Sequence, residues 1–212
     1  MPAEPAPSAT GLPDTGSSAG LPANGRSATE DAAPAPAEFR KAMAEFATGV
    51  TVVTALHDGE PVGFACQSFA SVSLEPPLIL FCADKRGRSW PRIRAAGRFC
   101  VNVLAEEQRD LCERFGSRRG AKFRGLEWEL SEWGTPALPD VLLHVHAVVH
   151  DVHEAGDHEV VIGRVLAVER HEVRDGAWRR PMVFFRSRFG ISEPDAPIAP
   201  DPWGLGDRWG WG

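Results

Sequence analysis

The chain has 212 residues and a formal net charge of −6, with 25% charged residues, four cysteines and no tyrosine. That length accommodates one domain plus tails, and the negative balance argues against a nucleic-acid partner held by bulk electrostatics. No stretch approaches the roughly 18 apolar residues that span a bilayer, and cysteines without CxxC spacing suit a reduced, cytoplasmic protein.

Residues 1–37 are rich in Pro, Ala, Ser and Gly. Such a segment lacks the apolar surface to repay the entropy of ordering, so it reads as a disordered leader. It has neither the basic start nor the apolar run of a secretory signal. Ala37 to Ala47 places Phe39, Met43 and Phe46 at helical spacing and reads as an amphipathic helix stopped near Gly49. Val50–Leu56 is β-branched and strand-like, and His57-Asp58-Gly59-Glu60 turns it into the next strand. Gly63 to Ser89 follows, with small polar residues Gln67, Ser68, Ser71 and Ser73, a turn at Pro76-Pro77, a strand from Leu78 to Cys82, and a basic knot of Lys85, Arg86 and Arg88 beside Ser89.

Trp90–Ala96 reads as a short helix with Pro91 early, where a missing N–H costs little. Arg98–Leu104 is a buried strand and Glu106–Phe115 a second amphipathic helix. Residues 116–140 read as an irregular excursion over the surface. Val141–His153 and His158–Val173 are two long strands around Glu154-Ala155-Gly156-Asp157, and Pro181–Phe185 is one more. Five or six strands with two or three short helices, and no strand–helix alternation, point to a mainly β fold of the barrel type. The tail from 193 to 212 is rich in Pro, Gly and Trp, including Trp203, Trp209 and Trp211.

The donors of Gln67, Ser68, Ser71 and Ser73, close to the basic knot, suit a polar heterocycle with a phosphate tail. They equally suit a half-buried hairpin with ordinary polar turns. GLGDRWG near the C-terminus follows no strand and opens no helix, so it is not a dinucleotide fingerprint. GSRRGAK at 116–122 lacks phosphate-loop spacing and reads as a basic loop. His144, His146, His150 and His153 resemble a metal cluster, yet strand alternation puts His153 on the other face, and no carboxylate or thiolate stands obviously beside them. No metal site is expected. His158, after Gly156-Asp157, is placed to hydrogen-bond a carboxamide or phosphate, or to be a turn histidine without a task. Phe189 suits stacking on an aromatic ligand, or plain core packing. No Ser-His-Asp order or paired carboxylates stand out, which suits chemistry borrowed from a cofactor.

GFACQSFASVSLEPPLILFC at 63–82, with Lys85, Arg88-Ser89-Trp90, ATGVTVVT at 47–54, GRFCVNVL at 97–104 and Gly156-Asp157-His158, occur in an order that resembles the short-chain flavin reductases. These are the small components of two-component flavin-dependent monooxygenases, and the likeness is strongest to the actinobacterial reductases serving seco-steroid hydroxylation. It covers residues 38–192. It implies an FMN-binding split β-barrel, a homodimer that takes FAD or FMN, accepts hydride from NADH or NADPH, and releases reduced flavin to a separate oxygenase component. Carried over position by position, Ala65, Cys66, Gln67, Ser68 and Phe69 would line the isoalloxazine and ribityl chain, and Ser71 and Val72 would continue that wall. Arg86, Gly87, Arg88 and Ser89, with Arg92 nearby, match the segment that holds phosphate or adenylate. His158 would contact the nicotinamide nucleotide as the catalytic histidine, and Phe189 would lie near the stacked rings.

Two departures stand out. Cys66-Gln67 replaces the small residue and Asn of many members, and Phe189 stands where Tyr is common. Two other readings of the same barrel are a non-catalytic flavin-binding module and an oxidase of the pyridoxamine-phosphate oxidase type. The first would lack a nicotinamide site, and the second would need a dedicated substrate-phosphate site.

Overall fold

A computed structural model describes residues 33–118, 121–171 and 179–190. The expected leader, apart from its last residues, and the whole Trp-bearing tail at 193–212 lie outside the described residues, as do Arg119, Gly120, Glu172 and Val173.

The chain order is α1 (Pro36–Met43), β1 (Thr48–Gly49), β2 (Thr51–His57), β3 (Glu60–Cys66), β4 (Ala70–Leu74), β5 (Pro77–Asp84) and α2 (Trp90–Ala96). It continues with β6 (Arg98–Val103), α3 (Arg109–Gly116), β7 (Glu129–Leu130), β8 (Pro136–Ala137), β9 (Leu143–Ala155), β10 (His158–Arg170), β11 (Val183–Phe185) and β12 (Arg188–Phe189). Seven strands pair antiparallel in the order β3-β2-β6-β9-β10-β5-β4. The outer strands β3 and β4 do not pair with each other, so the barrel is split along that seam. Inside it, Phe81 meets Phe99 edge-on at 5.3 Å and Trp90 edge-on at 5.8 Å, and the tilted ring of Phe64, from β3, at 5.9 Å. Edge-to-face aromatic packing of this kind adds about 0.5–1.5 kcal/mol per pair beyond area burial. The fold is mainly β, with three short helices among the described residues.

One strand of the seven-stranded sheet escaped the sequence reading, as did the two-residue strands β1, β7, β8 and β12 outside it. Ala70–Leu74 is β4, paired with β5, where a polar run and a turn were expected. Its sequence, ASVSL, carries only two sizeable apolar residues, and both are exposed. A lone edge strand of this kind gives no buried alternation to read. The first helix is shorter than expected, ending at Met43, and buries none of its residues; Phe39 and Phe46 face outward. The helix expected over 106–115 starts at Arg109, because Gln108 turns inward to accept the Ala105 N–H (3.0 Å) and donate to the Pro139 carbonyl (2.9 Å).

The segment 116–140 is not a surface excursion throughout, since Thr135 and Leu138 are buried. Asn102 of β6, fully buried, donates to the Val52 carbonyl (2.8 Å) and to Thr54 (3.0 Å), and its side-chain oxygen accepts the Leu138 N–H (2.9 Å). Every polar end is satisfied, so this buried amide staples the segment to the barrel rather than destabilising it.

The β9–β10 ribbon turns at Gly156-Asp157, where only Gly156 has positive φ (63°), the geometry that favours glycine at the first turn position. Two irregularities interrupt its ladder, one leaving His150 without a partner in register and one leaving out Leu166. Strand alternation therefore fails across His150: His144 and His146 are buried, whereas His150 and His153 are both exposed. All four cysteines are free thiols; Cys66, Cys100 and Cys112 are buried, and burial pushes all three above the ordinary thiol range. No helix among the described residues is long and apolar enough to cross a membrane.

Candidate functional site

Antiparallel pairing of β5 with β10 sets His158 directly opposite Asp84, joining two regions far apart in sequence. Asp84, only 4% exposed, ends β5; its carboxylate accepts the Arg86 N–H (2.8 Å) and Nε–H (3.2 Å) and lies 3.5 Å from Arg118. Lys85 ties the basic knot to the ribbon's turn, its N–H donating to the Asp157 carbonyl (3.1 Å) and its Nζ to the Gly156 carbonyl (3.0 Å). The knot and the histidine thus form one rigid corner.

In that corner His158 is 9% exposed. Its Nδ1–H donates to Asp157 Oδ1 at 2.7 Å, which holds the Asp157 carboxyl below the usual carboxylate range. The opposite nitrogen, Nε2, is buried and has no partner among the described residues. With Nδ1 carrying the proton toward Asp157, Nε2 of the neutral ring presents a lone pair suited to an amide N–H donor, and a protonated ring would offer an N–H to phosphate.

Beside the corner opens a cleft of about 1320 Å³. Arg86, Gly87, Arg88, Ser89, Arg92 and Ala65 all line it, as six of the positions singled out from sequence. Ser89 is held by donating to the Gly63 carbonyl (2.8 Å), Arg92 pairs with Glu60 (3.0 Å), and Arg88 donates to the Arg118 carbonyl. The remaining positions, His158 among them, do not line this cleft. Ser68 is engaged in holding β5, accepting the Cys82 N–H at 2.8 Å, and Cys66 Sγ lies 3.3 Å from its hydroxyl. Gln67 accepts a 3.3 Å bond from Thr48, and its amide nitrogen has no partner among the described residues. Phe69 packs on the barrel core, while Ser71 and Val72 are exposed on β4, Val72 at the register shift. Phe189 packs edge-on to Phe184 at 5.4 Å with the Arg109 guanidinium over its ring at 4.9 Å.

Sequence reasoning missed Asp84, Arg118 and Lys122 as parts of this site. The available signal was the basic loop at 116–122, of which Gly116, Ser117, Arg118, Ala121 and Lys122 line the cleft. Lys122 donates to the Gly63 (3.1 Å) and Phe115 (2.7 Å) carbonyls, leaving one of its three N–H groups for a ligand. Burial, and secondarily the Arg88 charge, bring it down to about 8. Its charge is therefore present below pH 8 and lost as pH rises through that value; because the folded state disfavours the charged form, stability gains between about 8 and the ordinary 10.5 while anion binding weakens. The KM for the phosphate-bearing substrate held by Lys122 is expected to rise up to about 10-fold above pH 8, as for one charge-assisted hydrogen bond lost. In Lys122→Gln that KM is expected to be raised already at pH 7 and flat across the range; an unchanged profile in the variant would remove Lys122 from the site.

Set beside known proteins, residues 43–192 match the "Flavin reductase like domain" family. The chain is 49% identical over 168 residues to the reductase subunit HsaB of a flavin-dependent monooxygenase from Rhodococcus jostii, spanning 79% of this chain and 83% of that one. Among solved structures, nitrilotriacetate monooxygenase component B from Mycobacterium thermoresistibile superposes with a TM-score of 0.69 at 47% identity, covering 78% of this chain and 90% of the other. The NADH:FAD oxidoreductase SgcE6 of Streptomyces globisporus, solved with NAD and FAD fragments, superposes with a TM-score of 0.66 at 34% identity, covering 75% and 93%. With its split barrel, cationic cleft and this extent of identity, the chain belongs to the flavin reductase family.

Proposed function

We propose that residues 38–192 form the catalytic domain of a cytoplasmic homodimer that reduces free FAD or FMN with NADH and passes reduced flavin by diffusion to a separate oxygenase component. The chain is an NAD(P)H-dependent flavin reductase, and it supplies reduced flavin to a partner monooxygenase. The observation that carries the site assignment is the pairing of β5 with β10, which sets His158, whose buried Nε2 has no partner among the described residues, opposite Asp84, the carboxylate that holds Arg86 at the cleft.

A flavin bound there accepts a hydride from the nicotinamide ring, and the protein's task is to hold two rings face to face. Arg86, Arg88 and Lys122 neutralise phosphates, with Asp84 fixing Arg86 and Arg118 in place. Gln67, through its uncommitted amide, is the candidate donor to the flavin edge where negative charge grows. His158 Nε2 receives the nicotinamide carboxamide. A cleft larger than the roughly 300–1,000 Å³ of ordinary ligand sites suits an extended dinucleotide. The wall from Gln67 to Val72 lies outside the cleft of a single chain, next to exposed Leu74 (94%) at an unpaired sheet edge. A second copy covering that edge would complete the wall and shield the apolar surface.

Anaerobic mixing with NADH and excess FAD or FMN tests the activity. Catalytic bleaching of the excess flavin's visible absorbance is the expected result; bleaching limited to one equivalent per chain would point to an oxidase or electron carrier, and none would end the reading. Light scattering is expected to give twice the 23.0 kDa of one chain.

A further inference from the structure

At the end of the β9–β10 ribbon remote from its turn, a second polar cluster stands apart from the catalytic corner. His144 and His146 are alternate residues of β9, so their side chains share a face. Glu169 of β10 is the direct register partner of His144, and His171 lies two residues beyond it. Two alternate-residue pairs, His-x-His and Glu-x-His, therefore converge from neighbouring strands.

The proton arrangement is informative. His144 Nε2 is 2.9 Å from the Leu138 carbonyl, which only accepts, so Nε2 carries the proton and Nδ1 presents its lone pair inward. That lone pair faces the Glu169 carboxylate at 3.4 Å and His171 Nε2 at 2.7 Å. His146 is fully buried (0% exposed), its Nδ1 bonded to the Thr135 hydroxyl at 2.8 Å, while Nε2 has no hydrogen-bond partner among the described residues and lies 3.5 Å from the same Glu169 oxygen. The buried His146 Nε2 is costly to leave without a partner, and a cation in front of it would relieve that cost. The His144 Nδ1 lone pair, which accepts the His171 Nε2–H, becomes available to the same ion once that proton leaves. The spacing agrees. Separations of 3.4 and 3.5 Å exceed the roughly 2.7–3.2 Å of N–H···O bonds, and they match the edge, about 3.3–3.4 Å, of a tetrahedron with zinc–ligand bonds of about 2.0–2.1 Å. The His144, His146 and Glu169 ligand atoms all lie within 4.8 Å of one another.

We propose that His144 Nδ1, His146 Nε2, the Glu169 carboxylate and His171 Nε2 form a tetrahedral site for a divalent transition-metal ion of the zinc class. Four nitrogen and oxygen donors with no position left open make it a structural site. The Leu138 carbonyl and Thr135 hydroxyl orient the two buried imidazoles, as outer partners of metal-bound histidines do. The Trp133 ring, stacked on His146 at 4.4 Å, covers one side, and a cavity of about 980 Å³ bordering His144 and His171 gives the ion a way in. Binding displaces the proton shared between His144 and His171. The ion would clamp the Ser131–Leu138 segment to the ribbon.

The test uses the full chain, freed of any affinity tag, stripped with EDTA and titrated with Co(II) alone. One equivalent is expected to produce the strong visible bands of tetrahedral Co(II), which Zn(II) then displaces. Glu169 and His171 are partly or largely solvent-facing, so Glu169→Gln and His171→Gln are expected to keep the wild-type circular dichroism and flavin reduction rate. Each is expected to weaken Co(II) binding by at least about 10-fold, the lower end for losing even an outer partner of a metal site. Absence of tetrahedral bands at millimolar Co(II), or equal affinity in both variants, would overturn the proposal.

Discussion

His158→Ala is expected to lose about 10- to 100-fold in kcat/KM for NADH while the dissociation constant for flavin stays within about twofold of wild type. The size follows from removing one hydrogen-bond partner from a buried polar group of the substrate, about 1–3 kcal/mol. The sign follows from geometry. Nδ1 is held by Asp157, which fixes the ring's orientation, and Nε2 has no partner among the described residues. His158→Asn, too short to reach the same point, is expected to resemble Ala. Asp157→Asn retains the ring but weakens its anchor and is expected to cost less. Stopped-flow reduction at varied NADH separates the effects, and an unchanged kcat/KM in His158→Ala would exclude this residue from the nicotinamide site.

The largest expected loss of stability comes from the barrel centre. Phe81→Ala removes a fully buried ring that touches Phe64, Trp90 and Phe99, and about 3–5 kcal/mol of unfolding free energy is expected to go with it. For a chain of this size that corresponds to about 10 °C in Tm. Gly163→Ala attacks the same core from the other side. Its added carbon would stand 2.6 Å from the Phe99 ring tip and 3.2 Å from Ile79, in a position where neither neighbour has room to retreat. Overpacking of this kind costs about 1–3 kcal/mol. Leu130→Ala, at an exposed site, is the control and is expected to change stability by no more than about 0.5 kcal/mol. Urea melts of the three variants check the ranking; a Phe81→Ala effect no larger than the control's would mean the aromatic cluster does not carry the core.

How much of this was legible from sequence depended on whether the information was local. Strands β2, β6, β9 and β10 announce themselves through β-branched residues, β3 and β5 through apolar runs bounded by turns, and helix α2 through Pro91 and its C-terminal Gly97, which has φ 71°. The cationic run at 85–88 was visible because its residues are contiguous. Asp84 was not, since its importance arises only when β5 pairs with β10 and Arg118 folds over from a distant loop. The histidines show the same limit more sharply. Alternation along β9 predicts faces correctly until the irregularity at His150, and the carboxylate that stands beside His144 and His146 comes from β10 in a register set by two such irregularities. No spacing in one strand encodes that meeting. The flavin wall was read as one surface, yet its residues divide between the cleft and an uncovered edge, because β4 continues where a turn was expected.

The placement of the cysteines has a consequence for an enzyme of this chemistry. Reduced flavin set free in air reacts with dioxygen, and each escape generates peroxide at its source. Peroxide attacks thiolates, not thiols, and it needs access. Cys66, Cys100 and Cys112 are sealed in the interior, where burial keeps their protons on. A catalyst that leaks oxidant thus keeps three of its four thiols out of reach, with Cys82 alone half-buried, and oxidation of those three is governed by how rarely the barrel opens rather than by how much peroxide it makes.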